Sequence, residues 1–144
     1  DLAIAYAEKG EHEKALAEFQ KAAELNPNEY NTYFNLGVLY ESMRNFEKAL
    51  EAYERAVALK ADYASVYYRL ANLYVSAKRY DDAVTILIKL QKLLPGSWKP
   101  HSLLGQVYEL KGDYEQARAF FEKALALDPN NTFVQERLKA LPIR

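Results

Sequence analysis

The chain has 144 residues, and 50% of them are apolar, so it is long enough for one domain with a substantial buried core. Its net charge of -1 at pH 7 argues against nucleic acid as the partner, because proteins that bind a phosphate backbone usually carry a basic face. The absence of cysteine excludes disulfides and thiolate metal sites, and it favours a reducing compartment such as the cytoplasm.

The apolar residues are not arranged to cross a membrane. The richest apolar stretch, residues 83–94, is interrupted by Lys89 and is shorter than a membrane-spanning helix requires. We therefore expect no membrane insertion. The chain starts at Asp1, without a methionine, and its pattern is already in progress there, so we expect it to be a fragment of a longer chain.

The same pattern of residues recurs along the chain with a period of 34 residues. A leucine is followed by a small residue, then by a tyrosine four residues after the leucine, and later by an alanine that precedes a large apolar side chain. The recurring positions are Leu2, Leu36, Leu70 and Leu104; Tyr6, Tyr40, Tyr74 and Tyr108; and Ala15, Ala49, Ala83 and Ala117.

Within each period the apolar residues have helical spacing and fall into two blocks. The break between the blocks carries Gly10 in the first period and Gly112 in the last, which is a signal for the C-terminal end of a helix. Each period therefore predicts a helical hairpin. The predicted hairpins cover residues 1–29, 30–63, 64–97 and 98–131, and Asn28, Asp62, Ser97 and Asn130 or Asn131 are the predicted N-caps.

The alternation of small and large residues indicates how the two helices of a hairpin pack. Two helices approach closely only where the side chains are small, so we expect Gly37 and Ala49 to face each other. The rings of Tyr40 and Tyr53 are then expected to fill the gaps between helices. One hairpin cannot bury its own apolar face, so successive hairpins must stack.

These in-register copies resemble the tetratricopeptide repeat family across essentially the whole chain. The resemblance implies an all-α fold, an α-solenoid in which stacked antiparallel helical hairpins form a right-handed superhelix. It implies a single repeat domain over residues 1–144, whose first unit lacks its first few residues. A last helix at about 131–141 departs from the pattern, because Lys139 stands at the small position and Pro142 at the tyrosine position. We interpret it as a capping helix.

Nothing in the sequence indicates an enzyme. His12 stands at the register of Phe46, and His101 at that of Tyr33 and Tyr67, so both are interpreted as framework rings replaced by another ring. No zinc-protease, nucleophile-elbow or phosphate-loop motif is present. We expect no catalysis, no cofactor and no metal.

The resemblance also implies where a partner binds, since the first helices of such hairpins line a concave groove that commonly takes a peptide. Ile4, Ala7 and Glu8 of the first unit lie on this face. The predicted groove residues are Asn31, Phe34, Asn35, Val38, Glu41, Tyr68, Arg69, Asn72, Val75, Lys99, Ser102, Gln106 and Glu109.

The expected ligand of this groove is a peptide with an apolar or aromatic anchor and a basic residue. Phe34, Val38, Tyr68 and Val75 supply apolar bulk that suits a ligand side chain, and Glu8, Glu41 and Glu109 make the rim acidic. The alternative is that Phe34 and Tyr68 only pack against each other.

Some members of the family clamp a C-terminal carboxylate with lysine, asparagine and arginine side chains. Asn35 and Arg69 match that pattern, whereas Ile4 and Ser65 do not. Starting one unit later leaves only Lys99 in place. We therefore do not expect a carboxylate clamp.

The third unit contains a second candidate surface, formed by Ile88, Leu90 and Trp98. Leu90 replaces a recurring alanine, and Trp98 is the one tryptophan of the sequence. These residues either form a contact patch for self-association, or Trp98 covers the seam that Leu90 widens.

The predicted function is a protein–protein interaction scaffold that binds a peptide or protein segment in its concave groove. The alternatives are a self-assembling repeat module and a regulatory appendage of a larger multidomain protein. Partner identity lies beyond the residues of this chain.

Overall fold

The computed structural model describes residues 1–142, and over these residues the protein is helical without any strand. The all-α prediction is thus confirmed for the described part of the chain. Its helices, in chain order, are α1 (Leu2–Glu8), α2 (His12–Leu25), α3 (Tyr30–Ser42), α4 (Phe46–Leu59), α5 (Ala64–Ser76), α6 (Tyr80–Leu93), α7 (Lys99–Lys111), α8 (Tyr114–Leu127) and α9 (Thr132–Ala140).

The chain forms two compact units, of which unit 1 comprises Asp1–Leu70 and unit 2 starts at Ala71. In unit 1, α1 packs on α2, α2 on α3 and α3 on α4. In unit 2, α6 packs on α7, α7 on α8 and α8 on α9. Each predicted 34-residue unit contains one pair of helices, while the assignment of the whole chain to a single domain stays a prediction.

Each unit has its own buried cluster of apolar side chains. In unit 1 the cluster joins α1, α2 and α3 through Ala3, Phe19 and Leu36, with Tyr6 and Tyr40 packed against it. In unit 2 the cluster joins α8 and α9 through Phe121 and Val134. Except for Val134 on the divergent α9, these side chains stand at the recurring registers, so the period of the sequence is also the period of the core.

The close approach inside a hairpin occurs at a glycine. A Cβ added to Gly37 would lie 2.4 Å from the ring of Tyr53, and one added to Gly105 would lie 2.6 Å from the ring of Phe121. The nearest atoms to a Cβ at Gly37 belong to Tyr53, which follows Ala49 by one turn of α4, so the expected facing of Gly37 and Ala49 stays a prediction. A bare backbone in one helix makes room for an aromatic ring of the other.

The helix ends follow the capping rules in part. Asn131 caps α9 by accepting a hydrogen bond from the Val134 N–H at 3.1 Å, as expected. The prediction for Asn28 is wrong, because α3 begins after Glu29, whose carboxylate accepts from the Asn31 N–H. Trp98 occupies the N-cap position of α7 without a side-chain hydrogen bond, while the hydroxyl of the predicted Ser97 accepts from the Lys99 N–H at 3.4 Å.

Candidate functional site

The predicted groove residues of unit 1 lie on α3 and on the first part of α5, and all of them are at least partly accessible. Their side chains differ in exposure, which decides which of them a partner can reach. Asn31 and Arg69 are exposed, and Phe34, Asn35, Val38, Glu41 and Tyr68 are half-buried.

In unit 2 the predicted groove residues are accessible with one exception. Asn72 and Lys99 are exposed, and Val75, Gln106 and Glu109 are half-buried. Ser102 is only 2% exposed, so its assignment to the groove wall is wrong. It stands at the register of the half-buried Phe34 and Tyr68, and the small hydroxymethyl group does not reach the surface as those rings do.

Glu41 on α3 and Arg69 on α5 form an ion pair with each other, and both also contact Tyr53 on α4. The distance from Arg69 Nη1 to Glu41 Oε1 is 3.3 Å, and to the Tyr53 hydroxyl it is 3.5 Å. The Tyr53 hydroxyl donates a hydrogen bond to Glu41 Oε1. Glu41 and Arg69, which were predicted to face a partner, thus already form polar contacts with residues of their own chain.

Tyr53 is fully buried, and this explains the arrangement around it. Burial, and next the hydrogen bond to Glu41, raise the pKa of the phenol far above its ordinary value, so the group stays protonated and acts as a donor. A buried hydroxyl without a partner is costly, so Glu41 is held in place by the core beneath it.

Unit 2 contains an equivalent ion pair between Glu109 on α7 and Arg137 on α9. Arg137 Nε lies 3.2 Å from Glu109 Oε1, and Nη2 of the same guanidinium contacts Oε2, so the contact is bidentate. Glu109 and Arg137 stand 68 residues, or two periods, after Glu41 and Arg69. Arg137 was missed by the sequence analysis, although its 28-residue distance from Glu109 repeats that between Glu41 and Arg69.

These ion pairs change the predicted charge of the groove. Of the three carboxylates expected to make the rim acidic, Glu41 and Glu109 are neutralised by arginines of the same unit. Glu8 is exposed and forms no ion pair with another described residue. Arg69 is paired with a carboxylate of its own chain, and the absence of a carboxylate clamp stays a prediction.

The rings of unit 1 form a connected row rather than separate platforms. Tyr30 packs edge-on against Tyr63 with centroids 5.4 Å apart, Tyr63 lies 5.2 Å from Phe34, and Phe34 lies 6.0 Å from Tyr53. Lys60 Nζ stands 4.7 Å from the Tyr30 centroid. Tyr30 and Tyr63, which lie outside the recurring tyrosine registers, thus connect the start of α3 to the start of α5.

A cleft of about 260 Å³ opens between α1, α2 and α3 of unit 1, and we call it the α1–α3 cleft. Most of its wall is apolar, and Glu8, Asn35 and Ser42 add polar groups. It is lined by Ile4, Ala7, Glu8, His12, Phe19, Asn35, Val38, Leu39 and Ser42.

Unit 2 has a cleft at the equivalent place, the α5–α7 cleft, with a volume of about 80 Å³. Seven of its lining residues stand 68 residues after lining residues of the α1–α3 cleft, so the two are copies of one feature. It is lined by Ala71, Asn72, Val75, Leu87, Leu103, Gln106, Val107 and Leu110.

A third cleft of about 570 Å³ lies between α7, α8 and α9. Its apolar wall includes Leu110 and Phe133, which are 55% and 45% exposed. The Glu109–Arg137 ion pair belongs to its lining, so the carboxylate there is already neutralised.

One of the three residues of the second candidate surface is not accessible. Leu90 is fully buried in unit 2, so it cannot contact a partner, and its inclusion in a surface patch is wrong. Trp98 is half-buried and packs against the cluster that contains Phe121 and Val134, which places it toward α8 and α9. Ile88 is half-buried on α6.

His101 is 7% exposed and stacks on Phe120 with centroids 6.3 Å apart. Burial, and next the nearby Lys123, lower the pKa of this imidazole, so it is uncharged at neutral pH. His12 is half-buried and lines the α1–α3 cleft. Among residues 1–142 no three His, Cys, Asp or Glu side chains are grouped to hold a metal ion, and none of the helices there is long and apolar enough to cross a membrane.

Family comparisons assign almost the whole chain to one repeat type. A family model described as TPR repeat matches residues 4–43. Two models described as Tetratricopeptide repeat match residues 42–107 and 98–131. No curated protein matches the sequence.

Solved structures with the same fold cover nearly all of the chain. A crystal structure of MamA is 22% identical, with a TM-score of 0.83, over 96% of this chain and 81% of MamA. MamA from Desulfovibrio magneticus RS-1, residue 41 to the end, is 20% identical with a TM-score of 0.79, over 95% of this chain and 77% of that one. PilF of Pseudomonas aeruginosa is 27% identical with a TM-score of 0.73, over 95% of this chain and 63% of PilF.

Proposed function

Because the chain belongs to the tetratricopeptide repeat family, a family of protein-interaction scaffolds, we propose that it binds a peptide or protein segment on the face formed by its first helices. We call this surface the first-helix face; in unit 1 it consists of α1 and α3, and in unit 2 of α7 and the part of α5 from Ala71 onward. No catalytic step is part of the proposal.

One observation supports this face above the others. In both units a cleft with mostly apolar walls lies between successive first helices, at the same register. The side chains beneath each cleft are buried and packed. Partly accessible apolar walls next to hydrogen-bonding side chains suit a peptide, whose side chains enter the cleft while its backbone meets polar groups. Asn35, Asn72 and Gln106 provide amides that both donate and accept.

The experiment that tests the proposal is a comparative capture from a lysate of the source cells, read by mass spectrometry. The baits are the wild-type chain, face variants Val38→Glu and Val75→Glu, and control variants Ala58→Glu and Ala126→Glu. The control positions are exposed on the second helices α4 and α8 and stand at equivalent registers. Each bait is first checked for helical content by circular dichroism.

We expect a partner to be retained by the wild type and by both controls and to be lost by a face variant. A partner that both face variants retain and a control loses would overturn the proposal, because binding would then involve the second helices. The same lysate fraction from untagged beads identifies proteins that adhere without the bait.

Self-association is a second candidate function, favoured by large apolar side chains that remain exposed. Leu25 is 80% exposed and Leu2 is 55% exposed. Sedimentation equilibrium over a range of concentrations measures this directly. A mass that rises with concentration, and that Leu2→Ser together with Leu25→Ser returns to that of a monomer, would support self-association.

A further inference from the structure

The clefts of the two units occupy the same register but differ in volume, and the lining residues account for the difference. Ala7 and Asn35 in the α1–α3 cleft are replaced by Val75 and Leu103 in the α5–α7 cleft. The larger side chains fill the space in unit 2, leaving about 80 Å³ where unit 1 has about 260 Å³. The unit 1 cleft therefore offers more room for a large side chain than the unit 2 cleft does.

Charge distinguishes the α1–α3 cleft further. Glu8 places an exposed carboxylate at its edge, and no described residue forms an ion pair with it. The described residues of the α5–α7 cleft carry no charge, and in the cleft beside α9 Arg137 neutralises Glu109. A positive charge on a partner is thus complemented at the α1–α3 cleft but neither at the α5–α7 cleft nor at the cleft beside α9.

We infer that the α1–α3 cleft is the anchor site of the bound segment, and that it takes a large apolar side chain directly next to a lysine or arginine. This inference rests on the proposed function, because it places one element of the ligand on the first-helix face. The apolar side chain enters between Ala7 and Val38, and the neighbouring cation pairs with Glu8. Asn35, at the wall of the same cleft, is available to the backbone of the segment.

The exchange of lining residues between the units provides the test. A random peptide library displayed on phage is selected against the wild-type chain, and the most enriched sequence is synthesised with a fluorescent label. Its affinity is measured by anisotropy for the wild type, for the filled variant Ala7→Val/Asn35→Leu, and for Glu8→Gln. The reverse exchange in unit 2, Val75→Ala/Leu103→Asn, is the matched control.

We expect the enriched sequences to contain a large apolar residue beside Lys or Arg. Filling the cleft should weaken binding roughly tenfold or more, since the anchor loses most of its buried area. Glu8→Gln should weaken binding roughly two- to fivefold and reduce its salt dependence, as expected for an exposed charge pair. Glu8→Lys should restore affinity for a peptide whose cation is changed to glutamate.

The outcomes separate this inference from the proposed function. One outcome overturns the anchor site and leaves the proposed face intact. In it, the peptides lose affinity for Val38→Glu or Val75→Glu, but they bind the filled variant and Glu8→Gln as tightly as they bind the wild type. A library that yields no binder, while a lysate partner is still lost by a face variant, also overturns the anchor site. Peptides that bind every first-helix variant equally overturn both. Glu8→Gln changes only an exposed side chain, so it remains informative if the filled variant does not fold.

Discussion

The hairpin α3–α4 of unit 1 and the hairpin α7–α8 of unit 2 are built in the same way, and they differ by one oxygen atom on the ring packed between their helices. In both, a glycine of the first helix receives a buried ring of the second, and a glutamate one turn later pairs with an arginine of the next helix. The ring is Tyr53 in one case and Phe121 in the other. The additional hydroxyl of Tyr53 donates a hydrogen bond to Glu41 from within the core, whereas the Glu109 carboxylate forms polar contacts only with Arg137 among the described residues.

Equivalent positions on a repeat surface are therefore not equally available to a partner. A glutamate at this register looks like part of an acidic binding rim in the sequence. In unit 1 it accepts from a buried phenol, so its position is set by packing beneath the surface. Removing the Glu41 carboxylate must therefore lower the free energy of unfolding more than removing that of Glu109 in unit 2.

The largest expected effect belongs to the feature that the two hairpins share. Gly37→Val and Gly105→Val should each lower the free energy of unfolding by about 2–3 kcal/mol, because the added side chain meets a buried ring. Urea denaturation followed by circular dichroism measures the loss. Gly96→Val is the control, since a Cβ there meets no atom within 4 Å. Equal losses at all three positions would contradict the packing described for the hairpins.

The next effect separates the hairpins. Glu41→Ala should lower the free energy of unfolding by about 2–3 kcal/mol, because it leaves the Tyr53 hydroxyl buried without an acceptor. Glu109→Ala should cost about 1 kcal/mol, as it breaks a partly exposed ion pair. In a Tyr53→Phe background, the cost of Glu41→Ala should fall to that of Glu109→Ala. A cost that Tyr53→Phe leaves unchanged would disprove the role assigned to the phenol.

Each unit also contains one residue other than glycine whose backbone adopts the left-handed conformation that glycine tolerates best. Arg44 and Lys78 adopt left-handed conformations with φ of 61° and 60°, at the register where Gly10 and Gly112 have φ of 78° and 80°. Arg44→Gly and Lys78→Gly should each raise the free energy of unfolding by about 0.5–1 kcal/mol, because glycine adopts this conformation without strain. Thermal denaturation of the single and double variants checks the gain, and Gly112→Lys should show a loss of similar size. A fall in stability in both glycine variants would contradict this interpretation.

His101 provides a difference that depends on pH. Tyr33 and Tyr67, at the same register, donate through their hydroxyls to the carbonyls of Pro27 and Ala61 at 2.9 and 2.6 Å. His101 has no such hydroxyl, and burial lowers its pKa below the ordinary value of 6.5. As pH falls below that value, the unfolded chain takes up a proton before the folded chain does, so stability declines.

His101→Tyr should remove this decline and raise the free energy of unfolding at neutral pH by about 1 kcal/mol, through a hydrogen bond to the carbonyl six residues earlier. Denaturation midpoints of both proteins between neutral and mildly acidic pH measure the effect. The difference between variant and wild type should widen as the pH falls. A difference that stays constant over this range would rule out His101 as the titrating group.

The smallest expected effect transfers the phenol of unit 1 into unit 2. Phe121→Tyr should change the free energy of unfolding by less than about 1 kcal/mol, because Glu109 occupies the register of Glu41 and can accept the new hydrogen bond. In a Glu109→Ala background the same substitution should become clearly destabilising. Comparable costs in the two backgrounds would show that the ring of Phe121 does not lie as the ring of Tyr53 does.

The fold was largely predictable from the sequence because its determinants are local and repeated. The spacing of Leu36, Gly37 and Tyr40 indicates a helix with one packed side, and its return after each period indicates stacking. The pairing of Glu41 with Arg69 was not predicted, since it depends on where two separate helices pass each other. Glu109 and Arg137 have the same 28-residue spacing as Glu41 and Arg69, and this repeated spacing indicates an ion pair once the first such pair is known.

The candidate site was less predictable because accessibility depends on the size of neighbouring side chains. Ser102 has the register of a surface residue and is nevertheless buried, and Leu90 packs inward although its bulk suggested an exposed patch. The volume of the α1–α3 cleft follows from Ala7 and Asn35, but only a comparison with Val75 and Leu103 on a known backbone shows how much space they leave.

An amide NMR titration with the selected peptide tests most directly whether a partner binds the first-helix face with its anchor in the α1–α3 cleft. We expect the largest shift changes on α1 and α3 around Ala7, Asn35 and Val38, and we expect Ala7→Val/Asn35→Leu to abolish them. Shift changes confined to the exposed sides of α2, α4, α6 and α8 would contradict this expectation.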